Sequence, residues 1–343
     1  MIKKVGILVL VIAIVAGIFG YSKYQDIFSS NVPETLTDPY LEIPTGIDFP
    51  GLTDLLYSKG FLEDSTSFRW VAGQMSFIKP TMRAGRFKIE PGWSNRRLIQ
   101  HLRGGKQAPV NVILTNERQP VDIAGKVSKV IESDSLMILD LLRNEDYLAK
   151  HGYNPQTVMS VFIPNTYEMY WNSNAQDFFE RMLKENERFW SQKNREAKAK
   201  KLDLSKQEVY TLASIVERET NQPEEKPTIA GLYLNRLKNN ILLQADPTVV
   251  FATGEFGLKR VLFSHLEYDS PYNTYKYAGL PPGPISMAEI SSIDAVLDYE
   301  DHDYIFMCAK GDGSGFHAFA KSMAGHNVNI ANYRKNLKAR GKR

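Results

Sequence analysis

Apolar residues recur along the chain in three rhythms, and each predicts a different kind of element. The first is an unbroken run. VGILVLVIAIVAGIFGY, Val5 to Tyr21, is 17 residues without a charge, and a membrane-spanning helix needs roughly 17 to 25 such residues. The second rhythm is helical. In GLTDLLYSKG, Leu52, Leu55 and Leu56 share a face and Gly60 is a stop; in SNRRLIQHLRGG, Leu98, Ile99 and Leu102 form a stripe between an N-cap at Ser94 and the pair Gly104–Gly105. The third is alternation, which predicts strands in AGRFKIEPG and VNVILT.

Residues 120–204 predict mostly helix, interrupted by SVFIPNTYEMYW, which is rich in aromatics and holds Pro164. KENERFWSQKNREAKAKKLDLSK predicts one highly charged, solvent-facing helix. From 206 onward, KQEVYTLASIVERET and KPTIAGLYLNRLKNN predict two amphipathic helices, ILLQADPTVVFATG a partly extended segment, and YNTYKYAGLPPGPIS a loop. ISMAEISSIDAVLDY predicts a helix with Ser286 as a cap. DYIFMCAK reads as a strand and GDGSGFHAFA as a hairpin with a Gly-rich turn.

The fold class these patterns predict is α+β: an N-terminal transmembrane helix, a small α+β subdomain, then a mixed α/β domain. The divisions fall at 1–24 (tip and anchor), 25–40 (a polar linker), 41–107 and 108–343. The apolar run exceeds the usual signal-peptide core of about 7 to 15 residues and no clear A-x-A site follows. This favours an uncleaved anchor in the cytoplasmic membrane through residues 5–21, with a cleaved signal as the alternative. Lys3 and Lys4 put the N-terminus inside and the body outside.

Composition narrows the chemistry. The 343 residues are 43% hydrophobic and 24% charged with a net charge of +3, which is ordinary globular composition and does not point to nucleic acid. The basic end YRKNLKARGKR reads as a solvated terminal helix. A lone cysteine, Cys308, excludes an internal disulfide framework. The six histidines form no HExxH pattern, and there is neither a G-x-S-x-G elbow nor a phosphate loop. No metal or cofactor is expected.

One short stretch raises a question of chemistry. LASIVERETNQ carries Glu217 and Glu219, and residues two apart on a helix point about 200° apart, so the two carboxylates cannot share a face. The apolar stripe Leu212, Ile215, Val216 continues to position 219. Glu219 therefore falls on the buried face near the helix end, where desolvation and the negative end of the helix dipole raise a carboxyl pKa. Such a group suits protonation of a glycosidic oxygen near neutral pH. A structural, capped or ion-paired carboxylate is the alternative. Glu217 reads as solvated, paired with a nearby Lys or Arg.

The string LASIVERET…IAGLYLNRLKNNILLQADPTVVFATG…YNTYKYAGLPPGPIS…GFHAFA…GHN resembles the endolytic murein transglycosylases, the YceG-like family, over about residues 40 to 338. The resemblance implies an inner-membrane-anchored enzyme with a LysM-like subdomain at 41–107 and a catalytic domain after it. It assigns the catalytic role to the second glutamate of the motif, Glu219. It further implies that Gln244, Asp246, Thr248, Asn273 and Tyr275 bind substrate, each alternatively explained as loop structure or core, and it brings in His317 with Phe319 and His326 with Asn327. Where the family usually has Pro-Asp-Thr-Tyr, this chain has Asn165.

The activity so implied is cleavage of the β-1,4 bond between N-acetylmuramic acid and N-acetylglucosamine in nascent strands. Glu219 serves as acid and then as base while the muramic 6-hydroxyl closes a 1,6-anhydro ring. The implied partners are peptidoglycan strands, the membrane and peptidoglycan synthases. Two other readings stay open: a non-catalytic glycan-binding scaffold, and a hydrolytic muramidase with a second carboxylate such as Asp246.

Overall fold

The computed structural model describes residues 2–258 and 260–341. Met1, at the start of the expected anchor segment, and Lys342 and Arg343, at the end of the basic tail, lie outside the described residues, as does Lys259. The chain packs as two units, one of residues 1–111 with 130–133 and 168–174, the other of 112–129, 134–167 and 175–343. The expected boundary at 107/108 is thus displaced by a few residues, and two later excursions join the first unit.

The first unit begins with helix α1 (Ile2–Phe28), then β1 (Tyr40–Ile43), α2 (Phe49–Ser58), α3 (Ser65–Gln74), β2 (Gly85–Lys88) and α4 (Asn95–Gly104). β1 and β2 are antiparallel, with Leu41 opposite Phe87 and Ile43 opposite Gly85. Alternation sends Leu41, Ile43 and Phe87 inward onto Leu52, Leu56, Phe68, Leu98 and Ile99, which come from the helical stripes. Ser94 caps α4 as expected, accepting from the Arg97 amide. Along α1, the stretch Lys4–Phe28 is long and apolar enough to cross a membrane; its apolar side chains from Val5 to Tyr24 are exposed, while Ile27 packs on the core of the unit.

The expected linker at 25–40 is corrected by the structure. α1 continues to Phe28, and the residues after it are bound into the unit. The amides of Asn31 and Val32 both donate to the Trp93 carbonyl, at 3.0 and 2.9 Å. Asn95 Nδ2 donates to the Asp26 carbonyl at 2.9 Å, and its Oδ1 accepts from Asn31 Nδ2 at 2.6 Å. Lys23 Nζ lies 4.4 Å from the Trp70 ring centroid. Val32 is fully buried. Asn31 turns inward to a buried hydrogen-bond network and Val32 to the core, while Gln25, Ser29, Glu34, Thr35 and Asp38 stay exposed, so the polar composition of the stretch did not show that its backbone is held.

The second unit contains β3 (Val110–Leu114, which enters it from the first), α5 (Pro120–Val127), α6 (Ser135–Arg143), α7 (Glu145–Ala149), β4 (Asn165–Met169, whose last two residues belong to the first), α8 (Ala175–Ser191) and α9 (Arg195–Lys201). There follow α10 (Lys206–Glu219), α11 (Lys226–Lys238), α12 (Asp246–Thr253), α13 (Phe263–Leu266), α14 (Ile290–Leu297), β5 (Phe306–Ala309), β6 (His317–Ala320) and α15 (Met323–Ala339). β5 and β6 form the expected hairpin, with Gly311, Gly313 and Gly315 in the left-handed region of its turn. α10 is the axis of this unit. Every residue from Val209 to Val216 is buried, packed by α11, α12 and α14.

Three local expectations are corrected. The charged run 184–206 is two helices, because Lys193 and Asn194 adopt left-handed backbone between them. Within it Trp190 and Arg195 are buried, and Arg195 makes a forked ion pair to Asp294 at 2.7 and 3.1 Å that ties α9 to α14. Asp246–Pro247 begins a helix instead of an extended turn, since proline is tolerated in a first helical turn. Ser286 does not cap α14, whose N-cap is Glu289. Ser286 is buried and bonds Arg218 and the Met287 carbonyl.

Replacing Asn95 by Ala removes the bond to the Asp26 carbonyl and the acceptor for Asn31, a loss on the order of 2 kcal/mol. The expected outcome is roughly 30-fold faster hydrogen exchange at the Asn31 and Val32 amides. Unchanged exchange there would mean that α1 is not held by this network.

Candidate active site

α10 delivers three charged residues in its last turn, and each leaves the helix in a different direction. Glu217 meets Lys226 Nζ at 2.9 Å and accepts from Ser292 Oγ at 2.5 Å. Its expected solvation is corrected: the Lys226 side chain is 6% exposed and that of Glu217 is 17% exposed, so this is a largely buried, hydrogen-bonded ion pair. Arg218 donates from Nε to Ser286 Oγ at 3.0 Å and from Nη2 to the Asn116 carbonyl at 3.1 Å. Glu219, the last helical residue, accepts from Tyr233 Oη at 2.5 Å through Oε1. Among the described residues no other hydrogen bond reaches its carboxyl.

This environment decides the protonation of Glu219. Burial pushes its carboxyl up to about 7, the Tyr233 hydrogen bond works against that, the charge of Asp246 adds to it, and His317 and Arg236 oppose it. Tyr233 is itself raised well above the usual phenol range, first by burial and then by Glu219. It therefore stays protonated and donates. Near pH 7 the Glu219 carboxyl is divided between its acid and base forms, which suits a group that must give a proton and take one.

Glu219 and Asp246 both line two cavities. One, of about 300 Å³, is also bounded by Arg118, Arg218, Phe251, Phe256, Arg260 and Ile285. The other, of about 200 Å³, is bounded by Tyr233, Arg236, Gln244, Tyr275, Cys308 and His317. The pieces are fixed locally. Arg236 donates to the carbonyls of Leu242, Leu243 and Ile305, at 3.1, 2.8 and 2.7 Å, and to Gln244 Oε1 at 3.3 Å. His317 is held by Glu225, which accepts from its backbone amide at 2.6 Å and lies 3.0 Å from its Nδ1. The loop before α14 is sewn to α10: Ile285 N donates to Ser214 Oγ at 3.1 Å and Ala288 N to Tyr210 Oη at 3.2 Å. In that loop a Cβ on Gly283 would stand 2.0 Å from the Gln156 carbonyl oxygen, so only glycine fits.

Of the residues expected to bind substrate, Gln244, Asp246 and Tyr275 gather around Glu219, and Tyr275 Oη donates to Asp246 Oδ1 at 2.6 Å. Thr248 and Asn273 do not. Thr248 is fully buried, bonding the Ala245 carbonyl at 2.7 Å and lying 2.8 Å from Thr274 Oγ1. Asn273 is fully buried, donating to the Leu266 and Tyr268 carbonyls and accepting from the Tyr275 amide. Both shape the loop that presents Tyr275. His326 stacks on Phe306 instead, at 5.2 Å, and is absent from both linings. Asn165 is exposed, bonds the Thr166 amide, and borders a different cavity beside Arg188 and Gln192. Sequence reasoning missed Tyr233, Arg236 and the arginine rim. A tyrosine inside the apolar run IAGLYL was the one available signal.

The YceG-like family profile matches residues 41–332. An endolytic murein transglycosylase of Bacillus subtilis (strain 168) is 27% identical over 333 residues, covering 92% of this chain and 89% of that protein. One of Streptococcus pneumoniae serotype 2 is 23% identical over 348 residues, covering 92% of this chain and 62% of the relative, so the chain spans less than two thirds of that protein. The crystal structure of a YceG-like protein from Listeria monocytogenes matches with a TM-score of 0.55 and 26% identity, over 84% of this chain and 97% of that one.

A carboxyl raised to about 7 when folded, from its ordinary 4.5, costs stability. The folded state holds the extra proton between those values, so stability falls as pH rises through that window, by about 3 kcal/mol in all. Glu219→Gln keeps an acceptor for Tyr233 and removes the titration. The variant is expected to gain melting temperature over the parent at pH 8 and to lose that advantage towards pH 4.5. A gain independent of pH would overturn the assignment.

Proposed function

The chain belongs to the YceG-like family, and from that premise we propose that it is an endolytic peptidoglycan lytic transglycosylase with Glu219 as its single acid and base. The observation that carries this reading is the position of Glu219: a half-buried carboxyl, raised to about 7, steadied on one oxygen by Tyr233 and lining both cavities. The protonated carboxyl donates to the glycosidic oxygen as the C–O bond breaks and oxocarbenium character develops. The muramic 6-hydroxyl attacks the anomeric carbon and gives its proton to the carboxylate, which restores the acid and leaves a 1,6-anhydro end. Gln244 and Tyr275 hold the sugar by hydrogen bonding and stacking.

The anchor reading takes α1 as a single pass through the cytoplasmic membrane with the N-terminus inside, which brings the site to newly made strands and to peptidoglycan synthases. The β1–α2–α3–β2 order of the first unit supports its reading as LysM-like. A hydrolytic reading has one observation in its favour: Asp246 lines the same two cavities as Glu219 and could position a water.

The test uses the full chain in detergent, with uncrosslinked glycan strands and mass spectrometry of the product ends. Anhydro ends are expected, with turnover falling by about 10²- to 10⁴-fold or more in Glu219→Gln. Reducing ends would assign hydrolysis, and strand binding without cleavage would assign a scaffold. In Tyr233→Phe the hydrogen bond that lowers the Glu219 pKa is lost, so the acid form persists to higher pH. The alkaline limb of kcat/KM should move upward; a downward or absent movement would sink the role given to Tyr233.

A further inference from the structure

The larger of the two cavities beside Glu219 carries a charge pattern that acid–base chemistry on a neutral sugar does not use. Arg118, Arg218 and Arg260 all line it, and among the described residues none of the three has a carboxylate within ion-pair distance. Glu117 is paired with Lys126 and Glu217 with Lys226; Asp246, bonded to the Tyr275 hydroxyl, and Glu219 share the lining, so three guanidiniums face two carboxyls, one of them raised to about 7. Arg218 is half-buried and fixed by Ser286 and the Asn116 carbonyl. Burial and the like charge of Arg118 hold its guanidinium below the ordinary value, yet a guanidinium does not shed its proton. Arg118 is steadied over the Phe256 ring at 4.8 Å. Two mutually repelling guanidiniums held at a cavity wall, with a third on its rim, are offset when an anion enters.

We propose that this cavity is an anion subsite, in which Arg118, Arg218 and Arg260 grip a carboxylate or phosphate substituent carried by the glycan strand next to the cleaved bond. The inference rests on the reading of peptidoglycan as substrate. Peptidoglycan offers that chemistry from two sources: the carboxylates of stem peptides, and the diphosphate that links a nascent strand to its lipid. Planar guanidiniums suit either by forked hydrogen bonding. The subsite would give the enzyme a preference between strands of identical sugar sequence, set by what hangs from them.

The test measures strand affinity in the Glu219→Gln full chain and kcat/KM in the active chain, each with Arg118→Gln, Arg260→Gln and the charge-keeping Arg118→Lys and Arg260→Lys. Arg218 is left intact because of its structural bonds. Three strand preparations are compared: untreated lipid-linked strands, strands with amidated stem carboxylates, and strands freed of diphosphate by mild acid. Each Gln variant is expected to weaken binding and raise KM about tenfold, with kcat nearly unchanged and much of the loss restored by Lys. Whichever treatment reduces wild-type affinity, and leaves the Gln variants insensitive, identifies the source of the anion. If strands bind and are cleaved but neither the variants nor the treatments change affinity, the anion subsite is wrong and the transglycosylase reading stands. If the parent chain binds no strands at all, both fall.

Discussion

The constraint on which the second unit depends is the complete burial of α10. A helix apolar on one stripe can lie on a surface, but this one is enclosed from Val209 to Val216 and must be wrapped by α11, α12 and α14. Wrapping it fixes those elements relative to its final turn. Tyr233 on α11, Asp246 at the start of α12 and Ser292 on α14 are then positioned as a consequence of core packing. The polar atoms that such a helix cannot avoid are matched one by one: Tyr210 Oη donates to the Phe162 carbonyl at 2.6 Å, and Ser214 Oγ to the Thr211 carbonyl at 2.7 Å. A site built on a packed helix end holds its geometry better than one built on free loops.

In the first unit, the same logic runs through a polar core. Asn31 and Asn95 are almost fully buried and satisfy one another, the Asp26 carbonyl and the Asp64 backbone. Leaving one such group unpaired costs more than the pair contributes, so the network fixes register between the end of α1 and α4. An apolar helix joined to its unit in this way transmits its orientation to that unit, where a free linker would not.

How much of this could be read in the sequence follows from the range of each signal. Stripes and alternation placed α2, α4, α10, α11 and β2, because those patterns are local and their buried faces are apolar, and an apolar run placed β5. Glu219 was legible for the same reason: it extends a stripe. What failed was direction. Thr248 and Asn273 carry the same kinds of polar atoms as Gln244 and Tyr275, but point into the loop, and only the fold of 270–289 decides that. Asp246–Pro247 serves equally as a turn or a helix start, and the packing of α12 on α10 selects the second. The break at Lys193–Asn194 has no glycine to announce it. The arginine rim was invisible because Arg118 and Arg218 are a hundred positions apart in the chain.

The two glutamates of α10 differ in what holds them. Glu217 has what a buried carboxylate needs to stay charged: a lysine at 2.9 Å and a serine hydroxyl. Removing either partner of such a pair is costly, and with both present the pair joins α10, α11 and α14. Among the described residues Glu219 has no cation within ion-pair distance and one hydroxyl for a partner. Folding places it where ionisation is unfavourable by about 3 kcal/mol relative to water, although a glutamine there would accept the same hydrogen bond without that cost. A carboxyl placed at such a cost, with one oxygen steadied and two cavities beside it, fits the acid and base role proposed for it.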